Sequence, residues 1–338
     1  MPGEFVGYDA EIKKIEKAIS RFSSGSAVNI AIISEPYAGK TTLMEFMYHR
    51  FPVISTKITV PPYGDSLRGF EDALESELKQ IVFIDDCHLL YKRSVGGFEA
   101  LESFLDQIAT KPEHMFITSW NIFSWKYLSE VMHIEKHFPC RISLPEFEVD
   151  EIRSVLMSSP EASEVIFDSG ETGKLEHFLE FRKYPLRIKR LERTINIPFL
   201  KLNYSFLKEK LQQAEKESTT EDLAFIKIKD ISSGNILLSK IIWQKSLHNS
   251  TIKVSEIYSP SFKAEFDYDT TFLAFMILSM GGLSKDSLED AIGDEVDFIR
   301  SLSILQEHDM IEVKNGICSI KPEAMHYIES LARDARMI

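Results

Sequence analysis

Residues 34–42 (SEPYAGKTT) bring a glycine, a lysine and two hydroxyls to the spacing that holds a phosphate. The run matches G-x-x-x-x-G-K-[ST], with Ser34 in the place of the first glycine. Backbone N–H groups of such a loop, with the helix N-terminus behind it, point at a β-phosphate. That makes Glu35, Pro36, Tyr37, Ala38, Gly39, Lys40, Thr41 and Thr42 the expected nucleotide contacts. Gly39 lets the backbone approach closely, Lys40 reaches the β/γ-phosphates, and Thr41 ligates Mg²⁺. A glycine at the first position relieves turn strain, so Ser34 puts the turn geometry in question.

A second stretch supplies the complementary chemistry. Residues 81–84 are an apolar run ending in Asp85-Asp86 (IVFIDDCH). An acid at the end of a strand beside a phosphate loop holds Mg²⁺, directly or through water, and Asp85 fits that role. Asp86 stands where many ATPases carry a glutamate that orients the attacking water. One methylene shorter, it implies slow hydrolysis.

These residues need a sheet to hold them. Residues 27–33 have the length and β-branched content of a buried strand, and Leu43, Phe46 and Met47 follow at helical spacing. Residues 53–60 read as a strand and 66–80 as an acidic amphipathic helix. Residues 98–108 read as a helix with a Leu101, Phe104, Leu105 and Ile108 stripe. Residues 115–118 form a strand that gives way to Ser119, Trp120 and Asn121. Strands alternating with helices argue for a parallel α/β sheet. Trp120 and Trp125 read as core or interface anchors. His133 and His137 have a spacing that suits a metal on one helix face, but no third ligand is evident and none is expected.

Farther along, residues 150–157 begin a helical segment with Asp150 as N-cap, and 158–173 are polar and loop-like. Arg182, Lys183, Arg187, Lys189, Arg190 and Arg193 place six cations in twelve residues. Lys183, Arg187 and Arg190, with Lys189 at the margin, can share one helical face. A solvated face, a γ-phosphate sensor and a docking patch all remain open for them. Residues 207–218 read as an exposed charged helix or inserted arm. From Asp267 the pattern gives helices over 272–280, 284–292 and 295–308. A hairpin turns at Lys314-Asn315-Gly316, and a closing helix follows Pro322.

Composition sets the outer limits. With 338 residues, 44% apolar and 27% charged, the chain reads as an ordinary globular protein of two or three domains. Its longest apolar stretch, 272–280, is too short to span a bilayer, and the N-terminus resembles no secretory leader. Cys87, Cys140 and Cys318 are too few and too scattered for a disulfide framework, which favours a reducing cytoplasm. The net charge of −13 disfavours a polyanion partner for the protein as a whole. Residues 267–338 carry fourteen acids against six Lys or Arg.

Taken in order, F-V-G-Y at 5–8, SEPYAGKTT, IVFIDDCH, the MFITSWN strand end, RISLPEF at 141–147 and the terminal helices with their hairpin resemble archaeal-type AAA+/STAND P-loop ATPases. These are relatives of the initiator ATPases and carry a C-terminal winged helix. The resemblance implies an α/β P-loop NTPase core over 1–148, a helical lid with a charged insertion over 149–262, and a winged-helix domain over 263–338. It implies ATP or ADP with Mg²⁺ as ligands, Val6 and Gly7 beside the adenine, and Tyr8 in place of a usual arginine. Lys40 would hold phosphates, Thr41 and Asp85 the metal, and Asp86 would activate water. Ser119 or Asn121 would position that water, with Thr118 a further choice. Lys136 and Arg141 are the cations best placed to act as a finger on a neighbour's γ-phosphate. Ser233-Gly234-Asn235 resembles the G-G-N-P-R segment of such lids, but Ile236-Leu237 replace Pro-Arg, so the lid's sensor arginine is missing.

The expectation is a cytoplasmic, slowly hydrolysing regulatory ATPase, a nucleotide-controlled switch for a protein partner. That partner would meet the winged helix or the basic lid segment; an oligomer remains open. Asp294, Glu295 and Asp297 stand at the start of the third terminal helix, where DNA contacts would be needed. DNA affinity rests on cation–phosphate pairs, so DNA is disfavoured there. Two alternatives stay open: a DNA-binding initiator or loader, and a nucleotide-binding scaffold without turnover.

Overall fold

A computed structural model describes residues 6–60, 80–93, 96–158, 164–169, 179–188, 193–202, 219–292 and 297–338. Phe5, residues 66–79 of the helix expected over 66–80, residues 207–218, Lys189, Arg190, Asp294 and Glu295 lie outside the described residues.

Five strands, β1 (Ile30–Ser34), β2 (Ser55–Thr59), β3 (Ile81–Asp85), β4 (Met115–Asn121) and β5 (Cys140–Ser143), form one sheet in the order β2-β3-β4-β1-β5. Every pairing is parallel. Parallel neighbours need crossover connections, and among the described residues helices supply them. These are α2 (Lys40–Arg50) after β1, α3 (Glu99–Thr110) before β4, and α4 (Ile122–Met132) after β4. The C-terminal ends of β1, β3 and β4 therefore open on one edge, where open α/β sheets bind ligands. The 35–39 loop, Asp86 and Asn121 all lie on that edge.

The pleat decides what packs where. Ile30 and Ile32 belong to a core shared with α1 (Asp9–Ser23), α2 and three later helices. Those helices are α5 (Val149–Met157), α6 (Thr220–Ser232) and α7 (Ile236–Ser246), contributing Ile152, Phe225, Ile228, Leu238 and Trp243. Ala31 and Ile33 belong to the opposite core, with α3, α4 and the C-terminal elements. Successive residues of one strand point to opposite faces, so β1 holds one group of helices on each side. In the second core Trp120, Trp125 and Phe138 meet edge-to-face, with ring centroids 5.5 to 5.9 Å apart. The tryptophans are anchors, as expected.

The C-terminal elements are α8 (Tyr268–Met280), β11 (Leu283–Ser284), α9 (Lys285–Ile292), α10 (Phe298–Glu307), β12 (Ile311–Lys314), β13 (Ile317–Ile320) and α11 (Met325–Asp334). Asn315 (φ 52°) and Gly316 (φ 79°) make the two-residue turn between β12 and β13. Strand β11 adds a third, antiparallel member to that small sheet, and β6 (Ile166–Asp168), β10 (Thr251–Lys253) and β9 (Leu247–His248) form a separate one.

Three expectations are corrected. The described part of the basic stretch, 182–188 with Arg193, is strand and not helix: β7 (Leu179–Ile188) and β8 (Arg193–Leu202) pair antiparallel from Leu179↔Leu202 to Ile188↔Arg193. Pro185 and Pro198 exclude a helix interior, and Ile195, Ile197 and Thr194 favour extended backbone. His133 ends α4 in left-handed conformation, and His137 closes a separate 3-10 turn. The two histidines therefore share no α-helical face. Helix α5 is capped by Glu148, not Asp150, through a capping box with Glu151.

Candidate functional site

The loop after β1 takes its turn at Tyr37 (φ 64°) and Gly39 (φ 95°). Ser34 stays in the strand, so a side chain there costs nothing in φ, and the absent first glycine does not disturb the turn. Lys40 starts α2 and is buried. Its ammonium donates to the Ser34 carbonyl at 3.2 Å, Ser34 Oγ at 3.1 Å and the Glu35 carbonyl at 2.8 Å. Burial outweighs the attraction of Asp86, Asp85 and Glu35 and lowers its pKa to about 8. A phosphate entering the loop would add counter-charge and favour the charged ammonium. Burial likewise raises Glu35.

Three remote segments tie the loop down. The Tyr8 hydroxyl donates to the Ala38 carbonyl at 2.6 Å. Asn235 Nδ2 donates to the Pro36 carbonyl at 2.9 Å. The Tyr37 hydroxyl donates to the Ile320 carbonyl in β13.

The acids stand beside the loop. Asp85 is fully buried; Ser119 Oγ donates to its Oδ1, while Oδ2 has no hydrogen-bond partner among the described residues. Asp86 turns left-handed (φ 59°), and its N–H donates to Ser119 Oγ at 2.9 Å. Burial, then the Asp85 charge, pushes the Asp86 carboxyl up to about 6, against the opposing pull of Lys40 and Lys57. Ser119 thus acts on Asp85. Asn121 caps α4 by accepting from the Phe123 N–H at 3.0 Å, and its amide donates to the Leu278 carbonyl at 2.8 Å. Thr118 Oγ1 donates to the Ile30 carbonyl within the sheet.

A cavity of about 350 Å³ connects these parts. Pro36, Tyr37, Gly39, Lys40, Thr41 and Thr42 line it from the loop side, and Asp86, His88 and Asn121 from the strand ends. Ile236, Leu237 and Lys240 of α7, with Gly281 beyond α8, complete its wall. Val6, Gly7, Glu35, Ala38, Asp85 and Ser119 are not among the lining residues. Gly7 packs so tightly on Phe147 that an added Cβ would lie 2.5 Å from its ring. The donor set fits a nucleotide with Mg²⁺: a helix N-terminus and a buried ammonium for phosphates, and the Thr41 hydroxyl and Asp85, with its unpartnered Oδ2, for a hard cation.

The other expected cations lie elsewhere. Lys136 lines a separate cavity of about 280 Å³ with Asn29 and His114, at the opposite end of the sheet. Arg141 is exposed on edge strand β5. Sequence reasoning missed Tyr8 and Asn235 as tethers, and Lys240 as a cation. Lys240 was findable, because it stands one helical turn beyond Leu237, at which the sequence resemblance leads one to expect an arginine. The tethers carry no local signal, since each partner lies at least thirty residues away.

No protein-family model matches the chain. Heat shock protein hsp98 of Neurospora crassa is 26% identical over 184 residues, covering 47% of this chain and 19% of that protein. The chain thus spans about a fifth of the length of the curated relative it matches. Among solved structures, the Thermotoga maritima RuvB Holliday junction branch migration motor aligns over 96% of this chain and 95% of its own, at 14% identity and TM-score 0.43. The Aeropyrum pernix ORC2 protein in ADPNP–ADP complexes aligns over 100% of this chain and 97% of its own, at 12% identity and TM-score 0.40. The Aeropyrum pernix ORC1 protein in complex with DNA gives 12% identity and TM-score 0.40, over 96% of its own length. The fold assignment rests on the parallel sheet and its loop.

Proposed function

We infer that the protein binds ATP with Mg²⁺ and hydrolyses it slowly, as a nucleotide-controlled regulatory switch of the AAA+/STAND kind. One observation carries this: the Lys40 loop, Asp86, the α7 helix with Lys240, and the α8 end at Gly281 all wall a single cavity. A nucleotide there would touch three parts of the chain at once. We assign those parts as a core over 1–148, a lid over 149–262 and a winged-helix domain over 263–338. The partner is then a protein that meets the winged helix or the β7–β8 hairpin.

Phosphoryl transfer to water needs positioning and charge neutralisation more than covalent chemistry. Lys40 would leave its three loop oxygens for the β/γ-phosphates. Mg²⁺, held by Thr41 and Asp85, would spread the phosphate charge. Asp86, ionised above about pH 6, would accept the proton of the attacking water. Lys240 would supply the lid cation that Leu237 cannot. Val6 and Gly7 would meet the adenine from the α1 side, beyond the cavity wall.

A scaffold without turnover has its own support. Ser119 and Asn121, the leading choices for positioning water, already spend their polar atoms on Asp85, on Asp86 N–H and on the protein backbone. Phosphate release and labelled-ATP binding, measured on wild type, Lys40→Ala and Asp86→Asn, separate the readings. Turnover lost in both variants, with binding kept in Asp86→Asn, supports the ATPase. Binding lost only in Lys40→Ala, with no turnover in any form, supports the scaffold. No ATP binding by the wild type overturns both.

A further inference from the structure

His88 follows Asp86 by two residues, is 4% exposed, and lines the cavity next to Lys40 and Asp86. Burial and the Lys40 charge keep its imidazole neutral. Its Nδ1 is buried with no hydrogen-bond partner among the described residues. A buried donor or acceptor left so is costly, and nothing in the inferred chemistry has used this ring. Its other side faces the C-terminal elements: a Cβ added to Gly281 would lie 3.1 Å from His88 Nε2. The same junction is fastened by Asn121 on the Leu278 carbonyl and by Ser124 Oγ on the Ser279 carbonyl at 2.6 Å.

We propose that His88 reads the terminal phosphate of a nucleoside triphosphate and passes its presence to the Gly281 end of α8. The proposal rests on the ATP-binding reading of this cavity. A neutral imidazole beside the ammonium can donate a ring N–H to a third phosphate without adding charge. A diphosphate leaves that contact unmade. Gly281 leaves no side chain between the ring and the end of α8, so a ring displaced toward a phosphate changes the packing of α8 directly.

The test compares ATP and ADP affinity, with Mg²⁺, in wild type, His88→Leu and His88→Asn. His88→Leu keeps bulk and removes both nitrogens; it is expected to weaken ATP about five- to tenfold, the worth of one neutral hydrogen bond, and ADP less than twofold. His88→Asn returns a nitrogen near the Nδ1 position and is expected to recover part of the ATP loss. Retained ADP affinity shows that each variant is folded. Gly281→Ala, whose methyl displaces the same ring, is expected to lower the ATP-to-ADP preference as well. Equal losses for ATP and ADP, or no change in either, would make His88 a packing residue and overturn the proposal with the ATP reading intact. A wild type that binds neither nucleotide overturns both.

Discussion

Asn235 holds two chain segments with one side chain. Its Nδ2 donates to the Pro36 carbonyl at 2.9 Å, and its Oδ1 accepts from the Leu238 N–H at 3.3 Å. The residue that starts helix α7 thereby fixes the 35–39 loop. Asn235→Ala loses both bonds, and Asn235→Ser keeps a cap but cannot reach Pro36. A capping residue is worth about 1 kcal/mol. Denaturant midpoints are therefore expected to fall for Asn235→Ala and to recover in Asn235→Ser. ATP affinity measured by equilibrium dialysis should fall in both. Full ATP affinity in the serine variant would show that the Pro36 tether is dispensable.

Lys40 is held at about 8 because burial outweighs its carboxylate neighbours. Its ammonium is thus an unfavourable charge in the free protein and a favourable one with phosphate present. Lys40→Met is expected to hold or raise the thermal midpoint while lowering ATP affinity about tenfold to hundredfold, since hydrogen bonds to charged groups are worth about 1.5–3 kcal/mol. A calorimetric scan with and without ATP reads both effects. A collapse of the midpoint in the absence of ligand would make Lys40 a structural residue.

Ser119 touches Asp85, and Asp85 is assigned to the metal. Ser119→Ala frees the Asp85 carboxylate to reorient. Losing such an orienting partner typically costs about tenfold or more in metal affinity. The Mg²⁺ concentration for half-maximal ATP binding is expected to rise by that factor, with binding in chelator unchanged. An equal loss in chelator would point to damage of the loop itself.

Asp86 titrates near 6 in the fold and near about 3.9 when unfolded. Between those values the folded chain holds the extra proton, so stability falls as pH rises from about 4 to about 6. In metal-free protein, Asp86→Asn is expected to abolish that fall and to be more stable than wild type above about pH 6. Denaturant midpoints across the range check this. An identical slope in the variant would assign it to another group.

The loop and the acids are legible in sequence because their chemistry is local: Gly39-Lys40-Thr41 and Asp85-Asp86 each sit at the end of an apolar run. The β7–β8 hairpin is not read because its charges invite a helical count, while Pro185 and Pro198 are the stronger local evidence. Ser119 and Asn121 can be placed at a strand end from sequence. Their engagements cannot, because Asn121 bonds to Leu278, 157 residues away. The C-terminal helices and hairpin follow from periodicity and the Asn315-Gly316 turn, whereas their contact with the cavity through Gly281 depends on tertiary packing.

The tethers on Pro36 and Ala38 have a directional effect. A trans peptide sets its C=O and the next N–H on opposite sides. Drawing the Pro36 carbonyl toward Asn235 and the Ala38 carbonyl toward Tyr8 turns the N–H groups of Tyr37 and Gly39 the other way. Both of those residues line the cavity. The polarity that greets an anion is thus aimed in advance by side chains from α7 and from the chain preceding α1, and either segment can re-aim it by shifting.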